Sequence, residues 1–374
     1  MISNQIPEIH LVIGARPNYI KANPVYHALA ELNRFDLKLI NTGQHYDHNM
    51  STLFFDELNM KSPDINLEVG SYSHGVQTAK IMERYEKILM EAPPNLVIVF
   101  GDINSTIACA LAAVKLHIPA AHVEAGLRSF DRSMPEEINR ILTDQISELL
   151  FITSPEAETN LNNEGVSNNI HFVGNTMIDS LVAFTDRFDA SAIKDQLKLD
   201  RSYTLMTFHR PSNVDENENL KNLVRALEKV SETLDCVFPI HPRTKNKLDD
   251  CGFLNRLQLN PRFHILDPIG YIDFMRLQKD ASVILTDSGG LQEESTFFGV
   301  PCLTVRNNTE RPVTITHGTN KLIGTKYANI PNEVEQVISM PVERTTRPEF
   351  WDGKAAKRIA EILRDNLILF NSLL

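Results

Sequence analysis

The sequence contains little cysteine, with four among 374 residues. Cys109, Cys236, Cys251 and Cys302 form no Cys-x-x-Cys pair, and two of them lie within apolar runs. So few thiols exclude a disulfide framework, and their surroundings favour buried thiols over a redox or zinc centre. No two histidines have HxH or HxxxH spacing, so we predict no metal site.

The sequence also lacks long apolar runs and an excess of basic residues. No apolar run approaches the ~18 residues of a membrane-spanning helix, and residues 1–7 lack the basic start and apolar core of a signal peptide. We therefore expect a cytoplasmic protein without membrane partners. The 48 acidic and 37 basic residues give a formal net charge of −11. That balance excludes a broad basic face for nucleic acid, although a local anion site stays possible.

Two nucleotide-binding fingerprints are missing as well. The chain has neither GxGxxG nor GxxxxGK followed by Ser or Thr, which disfavours a nicotinamide-dependent dehydrogenase and a P-loop ATPase. It shows no repeat with a period of about 20–50 residues, which disfavours a solenoid. With 42% hydrophobic and 23% charged residues, the composition is instead that of an ordinary globular protein.

Short apolar runs alternate with longer amphipathic stretches. The runs are too short for buried helices and rich in β-branched residues, so we interpret them as strands; stretches such as 106–115 and 137–149 are predicted helices. The predicted strands are 9–14, 37–41, 96–100, 120–124, 149–153, 170–174, 203–209, 236–241, 263–266, 282–287 and 301–305. The alternation predicts an α/β fold with two doubly wound, Rossmann-like domains, at residues 1–174 and 175–355.

Ligands of doubly wound folds bind beyond the carboxyl ends of the strands, so the loops after the predicted strands are the candidates for chemistry. Arg16 and Lys21 lie near the start of a predicted helix, where cations and the helix dipole suit an anion. Asp102 follows an apolar strand, where its spacing is more typical of a helix N-cap. Glu124 ends another such strand, and a carboxylate buried there needs a compensating partner.

Further charged residues follow in the same pattern. Glu136 and Arg140 are four residues apart, and a structural pair on one helix face explains this spacing as well as a functional pair does. His209 ends the first strand of the second domain, and His241 with Arg243 ends the next. Histidines at two successive strand ends are hard to explain as scaffold alone.

The most informative loop leads from a predicted strand through Ser288, Gly289 and Gly290 into a helix. Glycines at a helix start are locally costly, but they let a diphosphate approach the backbone N–H groups, where the helix dipole favours its charge. Glu294, one turn further along, is placed to reach ribose hydroxyls. Arg311 lies in another charged loop that follows a strand.

Together, these segments resemble the UDP-N-acetylglucosamine 2-epimerase family. The resemblance implies a GT-B-type, glycosyltransferase-like architecture, in which two Rossmann-like domains face each other across a cleft. It implies that the C-terminal domain binds UDP, that the last helix, 356–374, packs back on the first domain, and that the protein is a homodimer. The matching motifs occur in family order: GARPNYIK, GDINST, HVEAGLRS, MPEEINR, VGNTMID, FHRPSNVD, HPRT, TDSGGLQEE and NTERPVT.

The reaction that the resemblance implies is a non-hydrolysing inversion at C2, which interconverts UDP-N-acetylglucosamine and UDP-N-acetylmannosamine. Since the C2–H bond is not acidic, the family eliminates UDP in the anti sense to give a 2-acetamidoglucal and adds it back, without a redox cofactor. The catalytic candidates are Asp102, Glu124, Glu136 and His209, and which carboxylate is acid and which is base stays open. The substrate-binding candidates are Arg16, Lys21, Arg140, His241, Arg243, Ser288, Gly289, Gly290, Glu294 and Arg311.

The chain departs from the regulated bacterial members of this family. Those members have a Gln-His-Arg-Gln-like loop and a nearby arginine at a second, allosteric site, whereas this chain has Gln44-His45-Tyr46-Asp47 and no arginine at 67–71. It also has ERPV where many of them have ERPE. A hydrolysing 2-epimerase, or a 2-epimerase of a modified UDP-acetamido sugar or uronate, therefore stays open. A GT-B glycosyltransferase and a non-catalytic UDP-sugar-binding module are more distant alternatives.

Overall fold

The computed structural model describes residues 6–43, 59–340 and 347–370. The tetrad 44–47 and the last four residues of the predicted helix 356–374 lie outside these ranges. The chain divides into two compact units, Met1–Ala183 with Glu349–Leu374, and Phe184–Pro348. Each unit is built on one parallel sheet, which confirms the predicted pair of doubly wound α/β layers.

The first unit contains a sheet of seven strands. They are β1 (Glu8–Ile13), β2 (Asp36–Asn41), β3 (Ile65–Asn66), β4 (Leu96–Phe100), β5 (Ala120–Ala125), β6 (Leu149–Ile152) and β7 (Ile170–Phe172). Their order is β3-β2-β1-β4-β5-β6-β7, so the direction of winding reverses between β1 and β4. Strands β4 and β5 are buried along their whole length, as in a sheet that helices cover on both faces.

Helices connect these strands, and three of them begin with a proline in the first turn, where its missing N–H costs nothing. They are α1 (Arg16–Glu31), α2 (His74–Glu91), α3 (Asn104–Lys115), α4 (Pro135–Ile146), α5 (Pro155–Asn163) and α6 (Thr176–Asp189). Helix α3 is rich in alanine and largely buried, and its small side chains allow close packing against α2 and α4.

The second unit repeats this construction with six strands. They are β8 (Tyr203–Thr207), β9 (Asp235–Pro239), β10 (Phe263–Leu266), β11 (Val283–Thr286), β12 (Cys302–Thr304) and β13 (Asn320–Leu322). The order is β10-β9-β8-β11-β12-β13, so here the winding reverses between β8 and β11. Leu220, Leu223 and Leu227 place one apolar stripe of a covering helix in the core.

The helices of this unit vary more in length. They are α7 (Ile193–Gln196), α8 (Pro211–Val214), α9 (Asn217–Val230), α10 (Pro242–Asp250), α11 (Phe253–Gln258), α12 (Tyr271–Lys279), α13 (Gly289–Phe298), α14 (Val313–Thr316) and α15 (Ile330–Ser339). The last helix, α16 (Ala355–Phe370), lies in the first unit and contacts α1. Within the described ranges, no helix is both long and apolar enough to cross a membrane.

Every apolar run predicted to be a strand contains one. The two strands that the sequence did not reveal, β3 and β13, have two and three residues and carry polar side chains. The predicted helices 106–115 and 137–149 are observed as Asn104–Lys115 and Pro135–Ile146. The chain passes from one compact unit to the other at 183/184 and 348/349, compared with the predicted boundaries at 174/175 and 355/356. Helix α6 continues through the first of these junctions, where no loop marks it.

The C-terminal segment is held in the first unit by specific backbone contacts. Gly174 has φ +90° and lies so close to the carbonyl oxygen of Phe350 that a Cβ atom would overlap it. Trp351, the single tryptophan, donates from Nε1 to the carbonyl of Thr153 at 3.2 Å. At the start of α16, the backbone N–H groups of residues 355 and 356 donate to the buried carboxylate of Asp179, at 3.1 and 2.7 Å.

Asp179 makes the stability of this segment depend on pH. Burial raises the pKa of Asp179 to about 6, against the two N–H groups that lower it. Because folding raises this pKa, the contribution of the group is greatest at low pH and is lost as the pH rises through about 6. Asn cannot titrate, so we expect the stability that Asp179→Asn loses relative to the wild type to be about 1–2 kcal/mol larger at pH 5 than at pH 8.

Urea unfolding followed by Trp351 fluorescence at both pH values measures this difference. The matched control is Asp365→Asn, which replaces an exposed carboxylate on α16 and should change stability little at either pH. Equal losses for Asp179→Asn at pH 5 and pH 8 would contradict the prediction.

Candidate active site

The first group of candidate side chains lies at the carboxyl ends of β1, β4 and β5, which are neighbours in the first sheet. This is the switch point, where doubly wound sheets bind ligands. Arg16 is the first residue of α1 and is partly exposed. Lys21 follows one turn later, and Asp102 and Glu124 come from the ends of β4 and β5.

Glu124 is buried and forms an ion pair with the equally buried Lys21. Its backbone has φ +74°, which is rare for a residue with a side chain. The register between β5 and β6 shifts between Val123 and Ala125, so Glu124 occupies a bulge. Strain and bulges of this kind concentrate at functional sites, where they direct a side chain.

Asp102 pairs with the buried Arg140 of α4, while its own carboxylate stays partly exposed. Arg140 also donates from Nη2 and Nε to one oxygen of Glu137, at 2.9 and 3.1 Å. Glu137 in turn accepts from the backbone N–H groups of Ser129 and Phe130, at 2.9 and 2.8 Å. Arg140 thus joins a structural carboxylate, Glu137, to a solvent-accessible one, Asp102.

Glu136 is the next residue along α4 but has a different environment. It lies in the first turn of the helix and is partly exposed, and within the described chain its carboxylate makes neither a hydrogen bond nor an ion pair. The helix turn therefore directs Glu137 inward and leaves Glu136 accessible to a ligand.

Sequence reasoning missed a buried network behind this group. His122 on β5 bonds through Nε2 to the carbonyl of Gly101 at 2.8 Å and through Nδ1 to Asp144 at 2.6 Å. Asp144 also pairs at 2.7 Å with Arg128, which holds Glu164 through two hydrogen bonds. The network fixes the loop that carries Asp102 to the strand that carries Glu124. The signal was present, because His122 and Arg128 both lie within HVEAGLRS.

The second group lies at the carboxyl ends of β8 and β11, the switch point of the second sheet. The Nδ1 atom of His209 lies 3.1 Å from Oδ1 of the fully buried Asp287, and the imidazole is 42% exposed. Burial alone would raise the pKa of Asp287, but hydrogen bonds from His209, Asn213 and the Arg210 N–H lower it below the usual value. Asp287 is therefore a fixed negative charge behind an accessible imidazole.

His241 and Arg243 have separate partners. The His241 ring lies 5.8 Å from that of His209, centre to centre, and its Nδ1 caps α10 by accepting from the Arg243 N–H at 3.2 Å. The Arg243 guanidinium pairs with Asp215 in two contacts and is partly exposed. His241 thus lies beside His209, while the side chain of Arg243 is held by Asp215.

Ser288 is the N-cap of α13, and Gly289 and Gly290 form its first turn. The N–H groups of a first helical turn have no partner within the helix, so they are available to an anion. A Cβ atom at 289 would lie 2.6 Å from Glu310 Oε1 and 2.7 Å from Arg311 Nη1, so a larger residue fits only if these two side-chain ends shift. The turn therefore presents bare backbone beside the Arg311 guanidinium.

Buried charges support this turn. Arg311 pairs with Glu310 and, at 2.9 Å, with Glu293, and Arg306 pairs with Glu310 at 2.8 Å. Glu294 is buried one turn into α13, and the Gln278 amide donates to it at 3.0 Å in the amide orientation that satisfies both ends of the Gln278 side chain. Glu294 thus has a defined orientation.

The described residues of each unit therefore bring together part of the predicted set. Lys21, Asp102, Glu124 and Arg140 group in the first unit, and His209 groups with His241 in the second. In the same described ranges, no three His, Cys, Asp or Glu side chains are arranged to hold a metal ion. Paired carboxylates in separate environments can act as proton acceptor and proton donor, and a glycine turn beside an arginine can bind a diphosphate.

Two doubly wound parallel sheets, together with the similarity to solved UDP-GlcNAc 2-epimerase structures, place the chain in the class of GT-B-like enzymes that act on sugar nucleotides. The comparisons with known proteins specify the family within this class. The UDP-N-acetylglucosamine 2-epimerase family model matches residues 27–364, so the chain belongs to this family of isomerases.

Similar proteins cover almost the whole chain. It is 44% identical to the UDP-N-acetylglucosamine 2-epimerase of Methanocaldococcus jannaschii, over 95% of this chain and 98% of that protein. It is 39% identical to the UDP-2,3-diacetamido-2,3-dideoxy-D-glucuronate 2-epimerase of Pseudomonas aeruginosa, over 95% and 99%. The crystal structure of the M. jannaschii enzyme in complex with UDP-GlcNAc and UDP superposes with a TM-score of 0.89, at 42% identity over 96% and 99% of the two chains.

Proposed function

We propose that this protein interconverts UDP-N-acetylglucosamine and UDP-N-acetylmannosamine without hydrolysis, by anti elimination of UDP and its re-addition. The observation that carries the proposal is the grouping of two differently held carboxylates, Glu124 with Lys21 and Asp102 with Arg140, at adjacent strand ends. The similarity to the M. jannaschii enzyme supports the choice of substrate.

In the forward direction, a carboxylate takes the C2 proton while the C1–O bond breaks and its electron pair leaves with UDP. The C2–H electrons form the C1–C2 double bond of a 2-acetamidoglucal. UDP then adds back to C1, and a proton is delivered to C2 on the opposite face, so no net oxidation occurs. Inversion therefore needs two proton-transfer groups, and Asp102, Glu124 and Glu136 are the candidates.

The departing diphosphate needs positive charge and hydrogen-bond donors. We assign these to the N-terminal turn of α13, at Ser288, Gly289 and Gly290, together with Arg311 and Arg16. His209 acts near the scissile C1–O bond, with His241 beside it, and Glu294 binds the ribose. Lys21 and Arg140 act through the carboxylates that they contact. Arg243 adds a further positive charge to the substrate-binding residues.

A 2-epimerase of a modified substrate is the second candidate, because the similarity to the P. aeruginosa uronate enzyme reaches 39% identity. The C2 chemistry is the same, and only the substituents at C3 and C6 differ. The proposal also includes UDP binding by residues 175–355, a homodimer in the cytoplasm and a role in supplying surface polysaccharide precursors. The family resemblance supports these points.

Proton NMR of the enzyme with UDP-N-acetylglucosamine in D2O tests the proposal. Formation of UDP-N-acetylmannosamine with deuterium at C2 is the expected result. Free N-acetylmannosamine plus UDP would indicate a hydrolysing enzyme. An unchanged spectrum would overturn the choice of substrate, and the diacetamido uronate would then be tested under the same conditions.

We expect Gly289→Ala to weaken UDP binding by about tenfold to 100-fold, because the added methyl group displaces the Glu310 carboxylate and the Arg311 guanidinium from beside the turn. Isothermal titration with UDP measures the effect. Gly75→Ala, where nothing lies within 4 Å of the added atom, is the control and should bind UDP normally. Unchanged UDP binding by Gly289→Ala would show that the diphosphate does not bind at this turn.

A further inference from the structure

Five contacts converge on the side chain of Asp287, and four of them are hydrogen bonds from N–H donors. Oδ2 accepts from the Arg210 N–H and from Asn213 Nδ2, both at 3.0 Å, and from the His209 N–H at 3.2 Å. Oδ1 accepts from the same His209 N–H at 3.1 Å and lies 3.1 Å from His209 Nδ1. The carboxylate has no hydrogen to give, so the His209 Nδ1 atom is the one that carries hydrogen.

A further pair of hydrogen bonds orients Asn213. The hydroxyl of Tyr327 donates to Asn213 Oδ1 at 2.9 Å, which directs Nδ2 towards Asp287 and the carbonyl of Val305, the latter at 3.2 Å. Asn213 and Tyr327 are buried. The chain Tyr327–Asn213–Asp287–His209 is therefore a rigid support that ends at an accessible imidazole.

The neighbouring imidazole has the opposite arrangement. Nδ1 of His241 accepts from the Arg243 N–H at 3.2 Å, so in the neutral ring the hydrogen lies on Nε2. The two rings are 5.8 Å apart and tilted by 39°. The hydrogen-bond partners of these two adjacent rings therefore favour opposite tautomers, Nδ1–H for His209 and Nε2–H for His241.

We propose that Asp287 is a positioning residue that fixes His209 in the Nδ1–H tautomer, and that His209 and His241 both present Nε2 to the substrate, without hydrogen on His209 and with hydrogen on His241. Nε2 of neutral His209 then accepts a hydrogen bond or a proton, while Nε2–H of His241 donates a hydrogen bond. The inference deepens the proposed function, because it specifies Nε2 as the atom of His209 that faces the substrate, and only the ring protonated at Nε2 donates to the departing UDP oxygen.

The variant Asp287→Asn separates this role from a merely structural one. Three donors face the Oδ2 position, so the amide oxygen should stay there and the new NH2 group should take the Oδ1 position. The NH2 group then donates to Nδ1 of His209, so the ring hydrogen moves to Nε2. The hydrogen bond from the His209 N–H to Oδ1 is lost. The variant is expected to reverse the tautomer while the protein stays folded.

Nitrogen-15 NMR of the full-length protein, labelled at histidine and recorded at alkaline pH, reads the tautomers directly. His209→Asn and His241→Asn assign the two signals. We expect Nδ1–H for His209 in the wild type and Nε2–H in Asp287→Asn, with His241 at Nε2–H in both. An Nε2–H tautomer of His209 in the wild type, or an unchanged tautomer in Asp287→Asn, would overturn the inference.

Turnover supplies a second readout through Tyr327→Phe, which removes the donor to Asn213. We expect kcat to fall by about tenfold with KM within about twofold. Tyr203→Phe is the matched control, since the Tyr203 hydroxyl is also buried but donates to Leu277, away from the two histidines. Equal effects of the two variants on kcat would contradict the support chain.

Failure of the proposed function gives a different pattern. If His209→Asn turns over UDP-N-acetylglucosamine normally, the assignment of His209 to the chemistry is wrong. The tautomers measured in the absence of substrate would still decide whether Asp287 positions the ring.

Discussion

We expect Glu124→Gln to lower kcat by roughly 10³-fold while UDP binds within a few-fold of the wild type. A glutamine can neither take nor return a proton at C2. The diphosphate groups assigned to α13 belong to the other unit of the fold, so UDP affinity should be retained. Proton NMR in D2O measures turnover and isothermal titration measures UDP binding.

The control must separate lost proton transfer from an unbalanced charge. Lys21 is buried and pairs with Glu124, so the single variant leaves a buried cation without its counterion, which is itself destabilising. The double variant Lys21→Met/Glu124→Gln removes both charges. It should recover stability but no activity. Recovery of activity, or near-normal turnover by Glu124→Gln alone, would show that Glu124 transfers no proton.

The backbone conformation at Glu124 helps to explain why the structure identifies the partner of this carboxylate and the sequence does not. The sequence places a carboxylate at the end of an apolar strand and predicts that it needs a partner, but it does not identify that partner. Lys21 lies on α1, which begins beside β1, and meets Glu124 only because β1, β4 and β5 are adjacent. The sequence predicts a parallel sheet, but the Lys21–Glu124 ion pair also depends on the bulge at Glu124, which no sequence pattern reveals.

In the second group of residues, too, the sequence pattern predicts a local feature but not the long-range contacts. The sequence predicts the glycine turn at 288–290, since a helix start after an apolar strand has a fixed chemical meaning. It gives Asp287 no role beyond the end of a strand. The five contacts to Asp287 come from residues more than 70 positions away along the chain, and no local pattern encodes that separation.

Glu136 and Glu137 show where identical residue types give no guidance. The sequence supports a prediction for Glu136 but cannot determine which of the two adjacent carboxylates faces the core, because the helix was predicted to begin at 137 and begins at Pro135. Successive residues on a helix are rotated by about 100°. Glu137 therefore reaches the buried Arg140, and Glu136 stays accessible.

We expect these neighbours to give opposite phenotypes when each is replaced by glutamine. Glu137→Gln should destabilise the first unit by about 3–5 kcal/mol, because it leaves the buried Arg140 with a broken ion pair and removes an acceptor from the Ser129 and Phe130 N–H groups. Glu136→Gln should change stability by less than about 0.5 kcal/mol but lower kcat by roughly 100-fold.

Urea unfolding followed by the fluorescence of Trp351, which lies in the same unit, measures stability, and proton NMR in D2O measures turnover. The two variants have the same composition and differ only in which position of α4 carries the amide, so each is the control for the other. A stable Glu137→Gln enzyme would show that the Arg140 network is not structural. A fully active Glu136→Gln enzyme would leave Asp102 and Glu124 as the two groups that exchange the C2 proton.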